Sequence, residues 1–389
     1  MRLGVEERRA RLAIRHHLAG SALAATPVDA ARGVVALHAT DPATVFLSVQ
    51  ARTAAVDVEA IEHALYEERS LMRMLAMRRT MFVTPVDVAP VLQASSTKAV
   101  AEVQRRRYTQ FIQEAGHGDG AWLADVEDAT AAALAARGEA TGAELSADVP
   151  RLRSQVSMAE GKSYATKANI TTWVLFMLSA DGRIVRGRPR GSWTSTQWRW
   201  CPADRWLPDG LPDLPVAEAR VELVRLWLAT FGPGTVADLR WWTGWTATQV
   251  KQALTAIRPV EVDLGGTTGL VLPGDDEPTH APEPWVALLP ALDPTPMGWQ
   301  QREWYLGVHA PRLFDRSGNV GPTIWCDGRI VGGWAQRPDG EVAYQLLEDV
   351  GREAKGEIEA AAARLTKWIG AARVIPRFRT PLERELATG

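Results

Sequence analysis

Three times along this chain, cap and turn signals mark out short helices followed by two strand-like runs. That recurrence restricts the fold more than any other feature. In the first stretch, Thr26-Pro27 and Asp41-Pro42 each place a capping side chain before a proline suited to the first helical position. Asp57 caps a further helix over 58–67, and strand-like runs at 71–77 and 80–84 meet through Arg78-Arg79. An amphipathic helix over 5–20 precedes these, one more than a helix–helix–helix–wing order requires. The second stretch has helices over 122–137, 141–149 and 166–180, then strand runs at 183–187 and 195–200 around an Arg188-Pro189-Arg190-Gly191 tip. In the third, helices over 215–231, 235–242 and 247–257 lead to a hairpin around Gly265-Gly266. The pattern predicts an α+β chain of tandem winged-helix (helix-turn-helix plus wing) repeats.

Beyond a proline-rich linker at 273–284 the chain turns β-rich. A buried run at 286–289, a hairpin closed by Asp327-Gly328, a strand at 342–347 and an alanine-rich helix at 351–370 follow. The expected units are 1–118, 119–212, 213–273 and 285–389, the last being a β-rich element with a C-terminal helix.

At 389 residues, two to four domains are expected, and 46% hydrophobic with 23% charged residues is the balance of a folded globular protein. A net charge of −2 makes no global demand for a polyanionic partner. Locally the balance differs: between Arg151 and Trp200 nine Arg or Lys face two acids, Glu160 and Asp181, so this segment is either a phosphate-facing surface or a solvated basic face. Cys201 and Cys326 are too few for a disulfide framework, which fits a reducing compartment. The charged start carries no secretory leader pattern, and the longest apolar run, 173–178, is too short to span a bilayer. A soluble cytoplasmic protein without a membrane partner is expected.

No phosphate loop, nucleophile elbow, dinucleotide fingerprint or metal-ligand spacing occurs; His16-His17 is adjacent rather than at helical ligand spacing. The chemistry-bearing stretch is His38-Ala39-Thr40-Asp41, read as a polar corner between two packed helices, with His38 and Thr40 pointing one way and Ala39 inward. Alternatively, Asp41 is only a cap and His38 only a half-buried imidazole.

Several blocks are similar to the winged-helix DNA glycosylase family typified by AlkZ and YcaQ. They are Leu37-His38-Ala39-Thr40-Asp41-Pro42 with Ala51-Arg52, Arg73 with Arg78-Arg79-Thr80, Leu289-Pro290-Ala291-Leu292-Asp293-Pro294, and Phe314-Asp315 through Asn319 to Gly332. The resemblance implies a C-shaped protein of tandem winged helices around a β-rich element. It also implies hydrolysis of the N-glycosidic bond of bulky N-alkylated purines in double-stranded DNA, often as self-resistance to a DNA-alkylating antibiotic, with no metal or organic cofactor. The family pattern at the catalytic corner is Gln, an apolar residue, then Gln or Asp; this chain has His38, Ala39 and Thr40. The expected roles are His38 to orient or deprotonate water, Thr40 to hydrogen-bond water or sugar-phosphate, and Asp41 to offset positive charge.

Expected DNA contacts are Arg52, Arg78 and Arg79; Lys162, Lys167, Arg186, Arg188 and Arg190; and a projecting Asp327-Gly328-Arg329 hairpin. A monomer is expected. The alternatives are a non-enzymatic DNA-binding regulator or lesion sensor, which Thr40 favours, and a protein-interaction scaffold.

Overall fold

The computed structural model describes residues 1–158 and 166–388, and it is α+β. Helix α1 (Val5–Arg15) comes first. A repeat follows: helix α2 (Pro27–Arg32), strand β1 (Leu37–His38), helices α3 (Pro42–Gln50) and α4 (Val58–Glu62), then a hairpin of β2 (Leu71–Leu75) and β3 (Met81–Pro85). The strands pair antiparallel in the order β1-β3-β2. Its helix starts follow from cap chemistry. Thr26 Oγ1 accepts from the Asp29 N–H at 3.1 Å and Asp41 Oδ1 from the Ala43 N–H at 3.2 Å, each before a proline whose missing N–H is no loss there.

Helices α5 (Ala89–Leu92) and α6 (Lys98–Glu114) lead to the second repeat. It has α7 (Gly120–Arg137) and α8 (Gly142–Asp148), an inserted hairpin of β4 (Gln155–Met158) and β5 (Thr166–Asn169), helix α9 (Thr171–Ala180), and the hairpin β6 (Ile184–Pro189) with β7 (Trp198–Pro202). The helix expected from residue 166 is corrected here: pairing with β4 holds Thr166–Asn169 extended, and helix begins only at Thr171. The third repeat comprises α10 (Val216–Phe231), α11 (Val236–Thr243), α12 (Ala247–Ile257), β8 (Val260–Asp263) and β9 (Thr268–Val271). Reciprocal capping boxes at Thr141/Glu144, Thr235/Asp238 and Thr246/Gln249 start three of these helices.

One detail recurs in all three repeats. Just before the second helix, a residue pairs antiparallel with the second strand of the hairpin: His38 with Phe82, Ala140 with Trp200, Gly234 with Leu270. His38 therefore lies on a strand, not in a bare turn between helices.

Beyond the repeats, β10 (Val286–Leu289), β11 (Thr323–Cys326), β12 (Arg329–Gln336) and β13 (Val342–Leu346) form one antiparallel sheet in chain order. Short helices α13 (Glu303–Leu306) and α14 (Ala310–Leu313) lie between β10 and β11, and α15 (Gly351–Ile369) and α16 (Pro381–Thr388) pack on the sheet. One apolar core joins the first repeat, the third repeat and the sheet and takes in Val185, Trp193 and Cys201 of the second-repeat hairpin, while the second-repeat helices share another core with α6, where Tyr108 stacks on Trp173 at 4.7 Å. The N-terminus extends β8, with the Leu3 N–H donating to the Asp263 carbonyl at 2.9 Å. Arg11 is buried and donates to the carbonyls of Asp275 and Glu277 at 2.9 and 2.8 Å, so α1 anchors the 273–284 stretch that reads as a linker. Among the described residues no helix is long and apolar enough to cross a membrane.

Candidate active site and nucleic-acid interface

The corner lies between β1 and the start of helix α3, and one polar stripe running along that helix and past its end fixes it. Thr44, Ser48 and Arg52 recur every four residues, so they share a face. Thr44 Oγ1 donates to the Ala291 carbonyl at 2.8 Å, and Ser48 Oγ to Asp293 at 2.8 Å. Arg52 donates to both Asp293 oxygens, at 2.8 and 2.7 Å, and to Thr295 Oγ1 at 2.8 Å. Arg52 and Asp293 both have 0% exposure. This corrects the expectation for Arg52: a fully buried guanidinium engaged by a carboxylate cannot meet a phosphate, and its role is to hold α3 against the 289–295 segment.

At the corner, His38 is 9% exposed, with its ring edge-on to Phe82 at 5.6 Å. The Thr40 N–H donates to His38 Nδ1 at a long 3.4 Å, which assigns the lone pair to Nδ1 and the proton to Nε2. Burial pushes the imidazole pKa down to about 3; the charge of Arg78 adds to the shift and that of Asp293 opposes it. At neutral pH the ring carries no charge. Ala39 is buried and Thr40 half-buried. Asp41 is buried too, its second oxygen accepting from the Arg377 N–H at 3.1 Å. Burial raises the Asp41 carboxyl, while the backbone N–H groups of Arg377 and Ala43 and the charges of Arg377 and Arg73 oppose the rise.

Arginines surround the corner. Arg73, on β2, is 3% exposed, donates to the Ala39 carbonyl at 2.7 Å and lies 4.3 Å from the Trp198 ring centre. Arg186, on β6, lies 5.7 and 5.2 Å from the ring centres of Trp198 and Trp200. Its pKa falls to about 10, first through burial and then through the charges of Arg73 and Arg377. The exposed Arg78 and Arg79 form the tip of the first hairpin. Arg78 lies 4.3 Å over Trp241 of the third repeat, close beside Gly244, where a Cβ would stand 2.9 Å from Arg78 Cγ. Arg79 donates to the Tyr108 hydroxyl at 3.4 Å and faces Phe176 of the second repeat at 5.6 Å.

The second-repeat hairpin differs from expectation at its tip. Arg188 is paired with Glu62 and, at 2.9 Å, with Glu67, and Arg190 with Glu144 at 2.6 Å. Their charges are neutralised within the fold, so among the described residues the hairpin cation without an acid partner is Arg186, at its foot. Lys167 is exposed on β5, and Lys162 lies outside the described residues. The Asp327-Gly328-Arg329 turn does not project, which corrects that expectation. Gly328 is buried against α1, where a Cβ would meet Arg9 Cβ at 2.5 Å. Asp327 accepts from the Trp285 N–H at 2.9 Å and Arg329 pairs with Glu348.

Sequence reasoning gave no role to three residues near the corner: Arg73 and Asp293, which entered only through the resemblance, and Arg377. Arg73 had a signal, a charge inside the otherwise apolar strand Leu71-Met72-Arg73-Met74-Leu75. Arg377 had none.

The three helix-and-hairpin repeats and the four-stranded sheet form a fold that a solved DNA glycosylase shares. The solved structure of Streptomyces sahachiroi DNA glycosylase AlkZ matches with a TM-score of 0.74 at 20% identity, covering 96% of this chain and 99% of that one. No curated protein matches. The family model described as DNA glycosylase AlkZ-like matches residues 31–368. The chain belongs to the AlkZ-like DNA glycosylase family.

Proposed function

We propose that this protein is a monofunctional glycosylase that hydrolyses the N-glycosidic bond of bulky N-alkylated purines in duplex DNA. Its three repeats act as winged helices against the duplex, the units being 1–118, 119–212 and 213–273, and it works as a monomer. The observation that carries this reading is the corner itself: a neutral imidazole and a carboxyl three residues apart, among arginines.

His38, already neutral, is no proton donor at neutral pH, and this reading uses Asp41 as its carboxylate. That suits a purine alkylated on a ring nitrogen, which is a cation and departs as a neutral base without an acid. The C1′–N bond breaks and the base keeps the electron pair. Water oxygen then bonds C1′, and its proton passes to the Asp41 carboxylate and on to solvent. A ring with a pKa of about 3 is a weak base, so His38 serves by holding water through its Nε2–H rather than by deprotonating it. Thr40 offers a second hydroxyl contact to water or sugar. Arginine does not form an imine with the sugar, so Arg73, Arg78, Arg186 and Arg377 favour hydrolysis over a lyase step.

The setting this reading suggests is self-resistance to a DNA-alkylating antibiotic. A second reading, a non-enzymatic DNA-binding protein, is favoured by Thr40 standing where the family pattern has Gln or Asp, and by the burial of His38. Incubating the protein with duplex DNA carrying N7-alkylguanine or N3-alkyladenine and measuring freed base by chromatography separates the two. Free base supports the enzyme; retained duplex without base release supports the second reading.

A further inference from the structure

The arginines of the second-repeat hairpin fall into two classes. Arg188 and Arg190 at its tip are held by Glu62, Glu67 and Glu144. At its foot, Arg186 has no acid partner among the described residues, and neither does Arg377, which is exposed on the chain returning past the corner. Arg73 lies buried beside them and next to Tyr66, its Nε and Nη2 without hydrogen-bond partners among the described residues and its Nη1 on the Ala39 carbonyl. The rings of Trp198 and Trp200 bring Arg73 and Arg186 together, and the charges of Arg73 and Arg377 act both on Arg186 and on Asp41. Both oxygens of Asp41 accept backbone N–H groups, and its one charge does not balance three.

We propose that Arg186 and Arg377 grip a single backbone phosphodiester of DNA next to the processed nucleotide, with Arg73 beneath them as a fixed charge that also holds the corner through Ala39. The inference rests on the DNA-processing reading above. Several features favour a phosphodiester. The guanidinium fork matches two phosphate oxygens. Trp198 and Trp200 flank Arg186 and limit the directions it can face. The side chain of Arg377 is free to turn toward a ligand, because its backbone N–H, not its guanidinium, holds Asp41. A phosphate seated here bears on Arg73, and Arg73 bears on the Ala39 carbonyl, so DNA seating and corner geometry are linked.

The test uses binding, so it does not depend on base release. Arg186→Gln, Arg377→Gln and the double variant are checked for unchanged thermal unfolding, and the salt dependence of their affinity for an undamaged duplex is measured. The double variant is expected to flatten the slope of log affinity against log salt by about 1, the contribution of one neutralised phosphate, and each single variant by less than that. In a duplex with one uncleavable abasic analogue, single methylphosphonates replace each phosphodiester in turn. The wild type is expected to lose affinity on neutralisation of a position adjoining the analogue, and the double variant to be indifferent there. Unchanged salt slopes, or a double variant still sensitive at every position that affects the wild type, overturn the site. Flattened slopes without base release from alkylated duplex leave the site standing and overturn only the glycosylase reading.

Discussion

Arg52 and Asp293 form a bidentate pair with neither side chain exposed, joining the end of α3 to a segment 241 residues further along the chain. The corner at the start of α3 is thereby fixed against the β-rich element. Removing one partner strands a buried charge. Arg52→Met is expected to lower stability by about 3–5 kcal/mol in denaturant unfolding. The double variant Arg52→Met, Asp293→Leu should recover much of that loss. A single variant as stable as the wild type would show that the pair does not fix the corner.

His38 gives a pH dependence with a definite sign. Its folded pKa, about 3, lies below its ordinary 6.5, so between those values the unfolded chain binds the extra proton. The stability it contributes is complete above pH 6.5 and is lost as pH falls toward 3. The slope attributable to it is up to about 1.4 kcal/mol per pH unit. His16 is also fully buried with its pKa pushed well down, so it adds to the acid lability. His38→Gln should flatten the wild-type slope over this window, and the NMR signals of the His38 ring should not titrate between pH 5 and 8. A ring titrating near 6.5 would contradict the burial argument.

How much of this was legible in the sequence depended on the range of the interaction. Caps are local, so Thr26-Pro27, Asp41-Pro42, Thr141, Thr235 and Thr246 announced their helices. The threefold order was therefore readable, as was the Asp-Gly turn. Strand pairing across many residues was not: β1 exists only because residue 38 meets Phe82, and Thr166–Asn169 is extended only because it meets Gln155–Met158. Charge was read with the least success, because a sequence count cannot show partners. Arg188 and Arg190 look like phosphate contacts until Glu62, Glu67 and Glu144 arrive from other elements. Arg52 followed the same pattern, with Asp293 as the distant partner.

Those tip pairs carry a prediction of their own. Arg188→Ala and Arg190→Ala should each change the salt slope of duplex binding far less than Arg186→Gln, because their charges are already offset. Removing the acids instead, with Glu62→Gln and Glu67→Gln together, should free Arg188 and steepen the slope. Equal slopes for the Arg188 and Arg186 variants would show that the tip cations face DNA as well.

Gly328 tests whether its hairpin is scaffold. Its φ of +80° and the 2.5 Å approach of Arg9 Cβ leave no room for a side chain. Gly328→Ala is expected to destabilise the fold by about 1–3 kcal/mol through backbone strain, with a further cost from the clash. Duplex affinity of the folded protein should be unchanged. Lost affinity with unchanged melting temperature would place the turn on DNA instead.

The central claim is that the His38–Asp41 corner excises a cationic purine, and single-turnover base release tests it most directly. Wild type, His38→Gln, His38→Ala and Asp41→Asn are compared on a duplex carrying N7-alkylguanine, each with its duplex affinity measured alongside. Wild type should free the base. His38→Ala should do so about 100-fold more slowly at unchanged affinity, the typical scale for a catalytic proton-handling or water-positioning group. His38→Gln should lie between them, because an amide N–H can hold the same water, and Asp41→Asn should be slow. Base release by His38→Ala at the wild-type rate, or none by the wild type while it still binds the duplex, would contradict the account.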